Sequence, residues 1–375
     1  MNVALLIPSF AKTDIDGDVR ADRHPTMDYH ALADQLRTDG ARSVILLDFA
    51  EVDAAPEPLV RWTRRFLGRD AALAVLGFVR RRGVDTFFAN SEAVALPLAL
   101  LLRTLGNRRP GLVTIGHRLS TGKKGLFFRT LRLHREIDAI FVYAATQEAF
   151  GASVLGIPTE KLHLIPFHAD TRFYRPMDTP PVEANQISAA GLEWRDYPTL
   201  IEAVRGLPQL SVRLAAASPW SKHVNETERQ TLPAHVTARR YDYRELRELY
   251  ASSAFVVVPL YENDFQAGVT TLLEAMAMGK AVIVTRTTGQ TDVVVEGETG
   301  LYVASGDIDG WKQAIQSLWE DPALCGRLGT NARRWMENNA SLDRWAQTLS
   351  RSIYESAVSH RLLPQTMGKI TEETQ

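Results

Sequence analysis

Residues 255–303 read FVVVPLYENDFQAGVTTLLEAMAMGKAVIVTRTTGQTDVVVEGETGLYV, and their types and spacing suit anion chemistry. A buried-strand pattern at 255–258 runs into an acidic loop, Glu262-Asn263-Asp264. Gly268 follows, then a helical pattern over 271–278. A glycine lets the backbone approach a ligand closely. A helix start presents unpaired N–H groups and a partial positive charge. Together they describe an anion site, most often for phosphate. One glycine alone is a weak signal. Thr271-x-x-Glu274 also fits a capping box, with the glutamate reaching back to the Thr271 N–H. Met276 and Met278 read as core filler.

Other residues carry two readings each. His117 follows a strand pattern at 113–116, where a lone histidine is ordinarily structural. Arg195, in GLEWRDYPTL, could form a surface ion pair with Glu193 or Asp196. Tyr243 opens a helix and could simply pack there. Residues 101–135 hold nine Arg and Lys, among them Arg118, Lys123, Lys124, Arg129 and Arg132, and no Asp or Glu. GLFFRTLRLHRE interleaves these with apolar residues. That pattern fits a basic amphipathic helix on an anionic membrane, a packed helix with a solvated basic face, or a subsite for an anionic acceptor. Asp14-Ile-Asp16-Gly-Asp18 lacks the glycine and glutamate that a calcium loop needs. It reads as a mobile polar loop, and no metal site is expected.

The elements that position these residues follow from periodicity. Strand patterns at 3–7, 43–47, 86–89, 113–116 and 139–142 alternate with helical patterns at 27–36, 59–81 (broken near Gly68) and 93–105. After a proline-rich passage (Pro166, Pro176, Pro180, Pro181) the alternation restarts. Strands are expected at 187–190, 211–215, 255–258, 281–285 and 300–303. Helices are expected at 197–206, 244–251, 271–278, 310–320, 323–339 and 342–360. Such alternation means parallel sheets covered by helices. The length of 375 residues suits two cores rather than one. A net charge of −1 argues against a nucleic-acid binder. One cysteine, Cys325, excludes a disulfide scaffold and favours a reducing compartment. No signal peptide and no membrane-spanning run is visible. The expected location is cytoplasmic, with contact at the inner membrane face left open.

Four passages in order resemble retaining GT-B glycosyltransferases, most closely glycosyltransferase family 4 (glycosyl transferases group 1). LLEAMAMGKAVIV and EGETGLYV match that family's donor-site signature. GLEWRDYPTLIEAV resembles its phosphate-binding entry, and LGIPTEKLHLIPFHADTRFYRP the end of its first domain. The resemblance implies two Rossmann-like domains, α/β with parallel sheets, facing a central cleft. Residues 1–176 would form the acceptor-side domain and 177–341 the donor domain. The helix at 342–360 would pack back on the first.

It also implies transfer of a sugar from a nucleotide diphosphate sugar to an acceptor hydroxyl. The anomeric configuration would be retained, with the leaving phosphate assisting and with neither metal nor further cofactor. Glu274 takes the position of the ribose-binding carboxylate, and Arg195 that of a diphosphate-binding lysine. The N–H groups of Ala267, Gly268 and Val269, with the helix start near Thr270, would face the sugar or phosphate. His117 takes the place of a histidine bound to the donor sugar, and Tyr243 lies at the base. The chain departs from the family at two points. Gln266 stands where a first carboxylate is expected, which turns attention to Asp264 or Glu262. Leu192 stands where a second basic residue is expected. Two alternatives accompany this reading: a nucleotide-sugar epimerase, and a non-catalytic partner protein with a degenerate donor site.

Overall fold

The computed structural model describes residues 1–12, 14–120, 124–216 and 232–366, with side chains as far as residue 360. The chain forms two compact units. One comprises Met1–Asp14, Met27–Ile165 and the chain from Ala346 onward; the other comprises Ile15–Thr26 and Pro166–Trp345.

In chain order the strands are β1 Asn2–Leu6, β2 Ser43–Leu47, β3 Thr86–Ala89, β4 Gly111–Gly116, β5 Ala139–Val142, β6 Leu162–Leu164, β7 Glu183–Ala190, β8 Ser211–Ala215, β9 Val236–Ala238, β10 Ser253–Val258, β11 Ala281–Arg286 and β12 Gly300–Ala304. The α-helices are α1 Asp16–Arg20, α2 Asp28–Thr38, α3 Phe49–Ala54, α4 Pro58–Leu67, α5 Arg69–Val79, α6 Glu92–Leu102, α7 Ala145–Ser153, α8 Tyr197–Arg205, α9 Tyr243–Ser252, α10 Val269–Ala277, α11 Ile308–Glu320, α12 Pro322–Asn339 and α13 Leu342–Thr366.

Each unit holds one parallel six-stranded sheet. The orders are β2-β1-β3-β4-β5-β6 and β12-β11-β10-β7-β8-β9. Central strands such as β3 (TFFA) and β5 (AIFV) are buried along their whole length. Helices on both faces explain why these strands read as unbroken apolar runs. Helix starts are fixed by side chains. Asp48 caps α3, Asp196 caps α8, and Asp242 with Glu245 forms a full capping box on α9. Gly68, at φ 89°, ends α4 and opens α5. Two of the three aspartates expected in a mobile loop, Asp16 and Asp18, instead lie in α1, and Asp18 pairs with Arg23 at 2.6 Å.

From Ala346 onward, α13 is part of the first unit. Asp138 anchors it there. The Asp138 carboxylate accepts from Ser356 Oγ at 2.6 Å, Leu112 N at 2.8 Å and Arg109 Nη2 at 2.8 Å, and pairs with His360 Nε2 at 3.1 Å. Burial opposes its ionisation, but the His360 and Arg109 partners outweigh burial and hold the carboxyl well below the usual range. A depressed carboxyl contributes stability above its unfolded value and loses it as pH falls. Asp138→Ala is expected to cost about 3 kcal/mol at pH 7, as for one partner of a buried pair. Urea unfolding at pH 7 and near pH 3 checks this: the gap between variant and parent should narrow at the lower pH.

Candidate functional site

In the second sheet the order of connection reverses between β7 and β10. Ligands of open α/β sheets bind beyond the carboxyl ends of strands at such a switch point. A cavity of about 550 Å³ lies there, lined by the ends of β7 and β8, the loops after β7 and β10, α9 and the start of α10.

The loop after β7 forms one wall. Gly191 has φ +95°, and a Cβ there would sit 2.3 Å from Arg195 Nη2. Its absence lets Arg195 fold back beneath the loop. Arg195 is buried, donating from Nε to Ala190 O at 2.8 Å, from Nη1 to Glu193 O at 2.9 Å and from Nη2 to Thr271 Oγ1 at 3.2 Å. The expected surface ion pair is not formed. Glu193 offers only its main-chain oxygen, and Asp196 caps α8. A guanidinium carries five N–H donors, so two remain for a ligand. Burial lowers its pKa, yet arginine stays charged at neutral pH. The wall is pinned to the loop after β10 by Asp196 N to Pro259 O at 3.2 Å and Tyr261 N to Trp194 O at 3.1 Å.

The facing wall is the loop into α10. Gly289 N donates to Asn263 O at 3.0 Å, Thr288 N to Glu262 Oε1 at 2.8 Å, and Gln290 Nε2 to Ala267 O at 3.0 Å. A Cβ on Gly289 would lie 2.2 Å from the backbone N and O of Phe265. Gly289→Ala is therefore expected to push this loop out of register. Overpacking of this kind costs about 1–3 kcal/mol, readable as a lower unfolding midpoint.

Gly268 is the N-cap of α10, with φ +74° and no side-chain cap. A Cβ on it would lie 2.8 Å from Val258 Cγ1 and 3.2 Å from Arg195 Nη1. This places Thr271 inside the first turn, so the capping box expected from Thr271 and Glu274 does not form. The N–H groups also differ from expectation. Ala267 N donates to Phe265 O at 2.7 Å and Val269 N to Gln266 O at 3.3 Å. Among the described residues the N–H groups of Gly268, Thr270 and Thr271 meet no acceptor and form the open donor set.

Gln266 lines the cavity, and its buried Oε1 has no hydrogen-bond partner among the described residues. Neither Asp264 nor Glu262 is among the lining residues, and the Glu262 carboxylate accepts from Thr288 N.

Glu274 lines the cavity and is buried. The Tyr250 hydroxyl donates to its Oε2 at 3.1 Å, and the Tyr174 hydroxyl faces the same carboxyl. Burial raises the Glu274 pKa to about 7, against the opposing pull of Tyr174, Tyr250 and Arg195. Tyr243 also lines the cavity, its ring 4.3 Å from that of His24. Sequence reasoning missed Tyr250, Tyr174 and His24. Tyr250 was within reach, lying on the buried face of the predicted helix. Trp194 and Phe265, edge to face at 5.7 Å, complete the lining.

His117 and the basic residues belong to the first unit. His117 N donates to Glu92 Oε2 at 3.0 Å, and its Nε2 lies 3.0 Å from Asn90 O. Buried Glu92 forms an ion pair with Lys124, which also donates to Arg118 O. Burial would raise the Glu92 carboxyl, but Lys124 and His117 outweigh it and its pKa falls. Lys124 is thus committed internally. Lys123 lies outside the described residues. The amphipathic helix expected around 125–136 is broken. A π-helical turn, Leu126–Thr130, and a 3-10 turn, Leu133–Glu136, meet at Arg132, which is left-handed at φ 50°. No continuous helix can run through that conformation. Arg129 and Arg132 instead border a hollow of about 370 Å³ with His134 and Arg135.

Among the described residues no group of acidic, histidine or cysteine side chains is arranged to hold a metal ion, and no helix is long and apolar enough to cross a membrane.

Comparison with known proteins agrees with this geometry. Residues 188–321 match the family model described as Glycosyl transferases group 1. A D-inositol 3-phosphate glycosyltransferase from Arthrobacter sp. is 35% identical over 88 residues, 24% of this chain. The match spans 20% of that relative's length. A GDP-mannose-dependent alpha-(1-6)-phosphatidylinositol monomannoside mannosyltransferase from Mycolicibacterium smegmatis is 26% identical over 279 residues, covering 67% of this chain and 71% of the relative. Among solved structures, sucrose-phosphate synthase from Thermosynechococcus elongatus superposes with a TM-score of 0.70 at 17% identity, over 96% of this chain and 99% of that one. HepE from Anabaena, solved with UDP and glucose, has a TM-score of 0.68 at 17% identity, over 94% and 99% of the two chains. Through residues 188–321 the chain is similar to the glycosyl transferases group 1 family, and its two parallel α/β sheets have the GT-B fold of its structural neighbours.

Proposed function

We propose that the protein transfers a sugar from a nucleotide diphosphate sugar to an acceptor hydroxyl, with retention and without a metal ion. The observation that carries this is the pairing, in one cavity, of buried Arg195 with buried Glu274 beside three open N–H groups. The diphosphate would lie on Arg195 and on the N–H groups of Gly268, Thr270 and Thr271, where the start of α10 adds its dipole. As the sugar–phosphate bond breaks, negative charge grows on the leaving oxygen. Fixed donors stabilise that charge without reorganising. Glu274 would accept from the ribose hydroxyls, and the open Oε1 of Gln266 would accept from a hydroxyl of the sugar. This assigns the protein positioning and charge stabilisation rather than a covalent nucleophile. Relatives solved with UDP or UDP-glucose support a nucleotide-sugar donor.

Calorimetric titration of UDP, GDP and ADP, alone and as their sugars, tests the proposal. One nucleotide series is expected to bind at micromolar to millimolar concentration, and its sugar form to turn over with acceptor. The amide of Gln266, in place of a carboxylate, also motivates a binding-only reading. Tight nucleotide-sugar binding without hydrolysis or transfer to any acceptor would favour that reading.

A further inference from the structure

We propose that α4 is a docking surface for an anionic lipid bilayer. The helix PLVRWTRRFL is fastened to the first unit by Val60 and Thr63, which are buried. Its other apolar residues are not covered. Leu59, Trp62, Phe66 and Leu67 are 53%, 55%, 62% and 64% exposed. Leu59, Trp62 and Phe66 recur at helical spacing along one flank, with the Trp62 and Phe66 rings 5.2 Å apart. Scattered apolar residues on a surface need no explanation, but a contiguous run of this size does. Phe10 is 52% exposed as well, its ring 5.1 Å from the Arg69 guanidinium at the start of α5.

The charges of α4 itself are all positive, and the carboxylates of Asp53 and Glu57 beside it are neutralised by arginines. Arg64 and Arg69 share Asp53 at 2.7 and 3.0 Å. Arg61 and Arg65 pair with no carboxylate among the described residues, and Arg65 lies 5.8 Å over the Phe66 ring. Trp, Phe and Leu beside unpaired arginines make a helix that lies in the plane of a membrane surface. Ten residues span about 15 Å, too short to cross a bilayer.

Size favours lipid over a second protein chain. The four side chains expose on the order of 400 Å², about half of what each partner of a stable protein interface buries. A bilayer has no such threshold. It accepts apolar side chains singly and adds attraction for each arginine.

The test is cosedimentation of the full chain with vesicles of phosphatidylglycerol and phosphatidylcholine, and of phosphatidylcholine alone. Binding is expected to the anionic vesicles and to weaken as salt is raised. Trp62→Ser with Phe66→Ser should reduce it at least tenfold. Arg61→Gln with Arg65→Gln should reduce it by more than tenfold, at about fivefold for each arginine. All four positions are exposed, so circular dichroism and the unfolding midpoint should be unchanged, as should nucleotide binding. Arg129→Gln with Arg132→Gln should leave vesicle binding intact. The proposal is overturned if the parent protein ignores anionic vesicles, or if the α4 variants bind like the parent. Loss of binding in the Arg129 and Arg132 variant alone overturns it as well. A concentration-dependent dimer abolished by the Trp62 change would replace lipid with a second copy.

Discussion

Arg195→Ala is expected to lower kcat/KM for sugar transfer roughly 10²–10³-fold, the range seen when one preorganised donor to a developing negative charge is removed. Nucleotide diphosphate affinity should fall by about 10–150-fold, from the loss of hydrogen bonds to a charged group at roughly 1.5–3 kcal/mol. The larger effect on turnover follows because charge accumulates on the leaving phosphate in the transition state. Arg195→Lys should recover little. An ammonium cannot reach Ala190 O, Glu193 O and Thr271 Oγ1 at once, so it would not be held in place. The variant also leaves the Ala190 and Glu193 carbonyls and Thr271 Oγ1 without their donor, so some loss of stability will accompany it. Steady-state kinetics with calorimetry on the same preparation separates the two. If affinity falls and turnover of bound donor does not, Arg195 grips the ground state only, and its catalytic assignment fails.

Nucleotide binding should be linked to a proton on Glu274. Burial raises this carboxyl to about 7, so at pH 6 the empty site is mostly protonated. A carboxylate that accepts from ribose hydroxyls must be ionised. Binding therefore expels a proton below pH 7, and affinity should rise as much as tenfold per pH unit up to about 7, then level off. Glu274→Gln should flatten that dependence and weaken binding at pH 8 by about tenfold or more, at roughly 1.5–3 kcal/mol for a charged hydrogen bond. Titrations at pH 6 in two buffers of different ionisation heat read the proton directly, and identical heats would falsify the linkage.

Stability carries the opposite sign from that of Asp138. The folded pKa of Glu274 is raised above the unfolded 4.5, so the empty protein loses stability as pH climbs from about 4.5 to about 7. The loss is on the order of 3 kcal/mol. Glu274→Gln should remove it.

Much of this was legible in the chain. β3 and β5 fall on the residues that their apolar runs indicate, because parallel strands covered on both faces leave no room for polar interruption, and β2, an edge strand of five residues with a long apolar run, and β8 were also legible. The edge strands β6 (LHL) and β9 (VTA) were not legible. Three residues with exposed positions make no run, and their pairing is set by the neighbouring strand. The donor-site residues Arg195, Gln266, Gly268 and Glu274 could be named from motif order, and all line one cavity. Their local geometry could not. Helix α10 begins at Gly268 rather than at Thr271 because the glycine can turn left-handed. That moves the open N–H groups along the chain and points Glu274 at tyrosines from distant segments. The break at Arg132 has no signature either, since any residue can be forced left-handed by its surroundings at modest cost.

The way Arg195 is held bears on how the cycle ends. Its partners are carbonyls and a hydroxyl, none of which cancels its charge, and below pH 7 Glu274 does not cancel it either. Once the sugar has left, the nucleoside diphosphate bears one more negative charge than the sugar nucleotide did. If the proposed function holds, the pocket is therefore expected to hold its product more firmly than its donor. Departure of the spent nucleotide, rather than bond breaking, is expected to limit turnover. Progress curves should bend early unless a phosphatase removes the diphosphate, and adding one should straighten them.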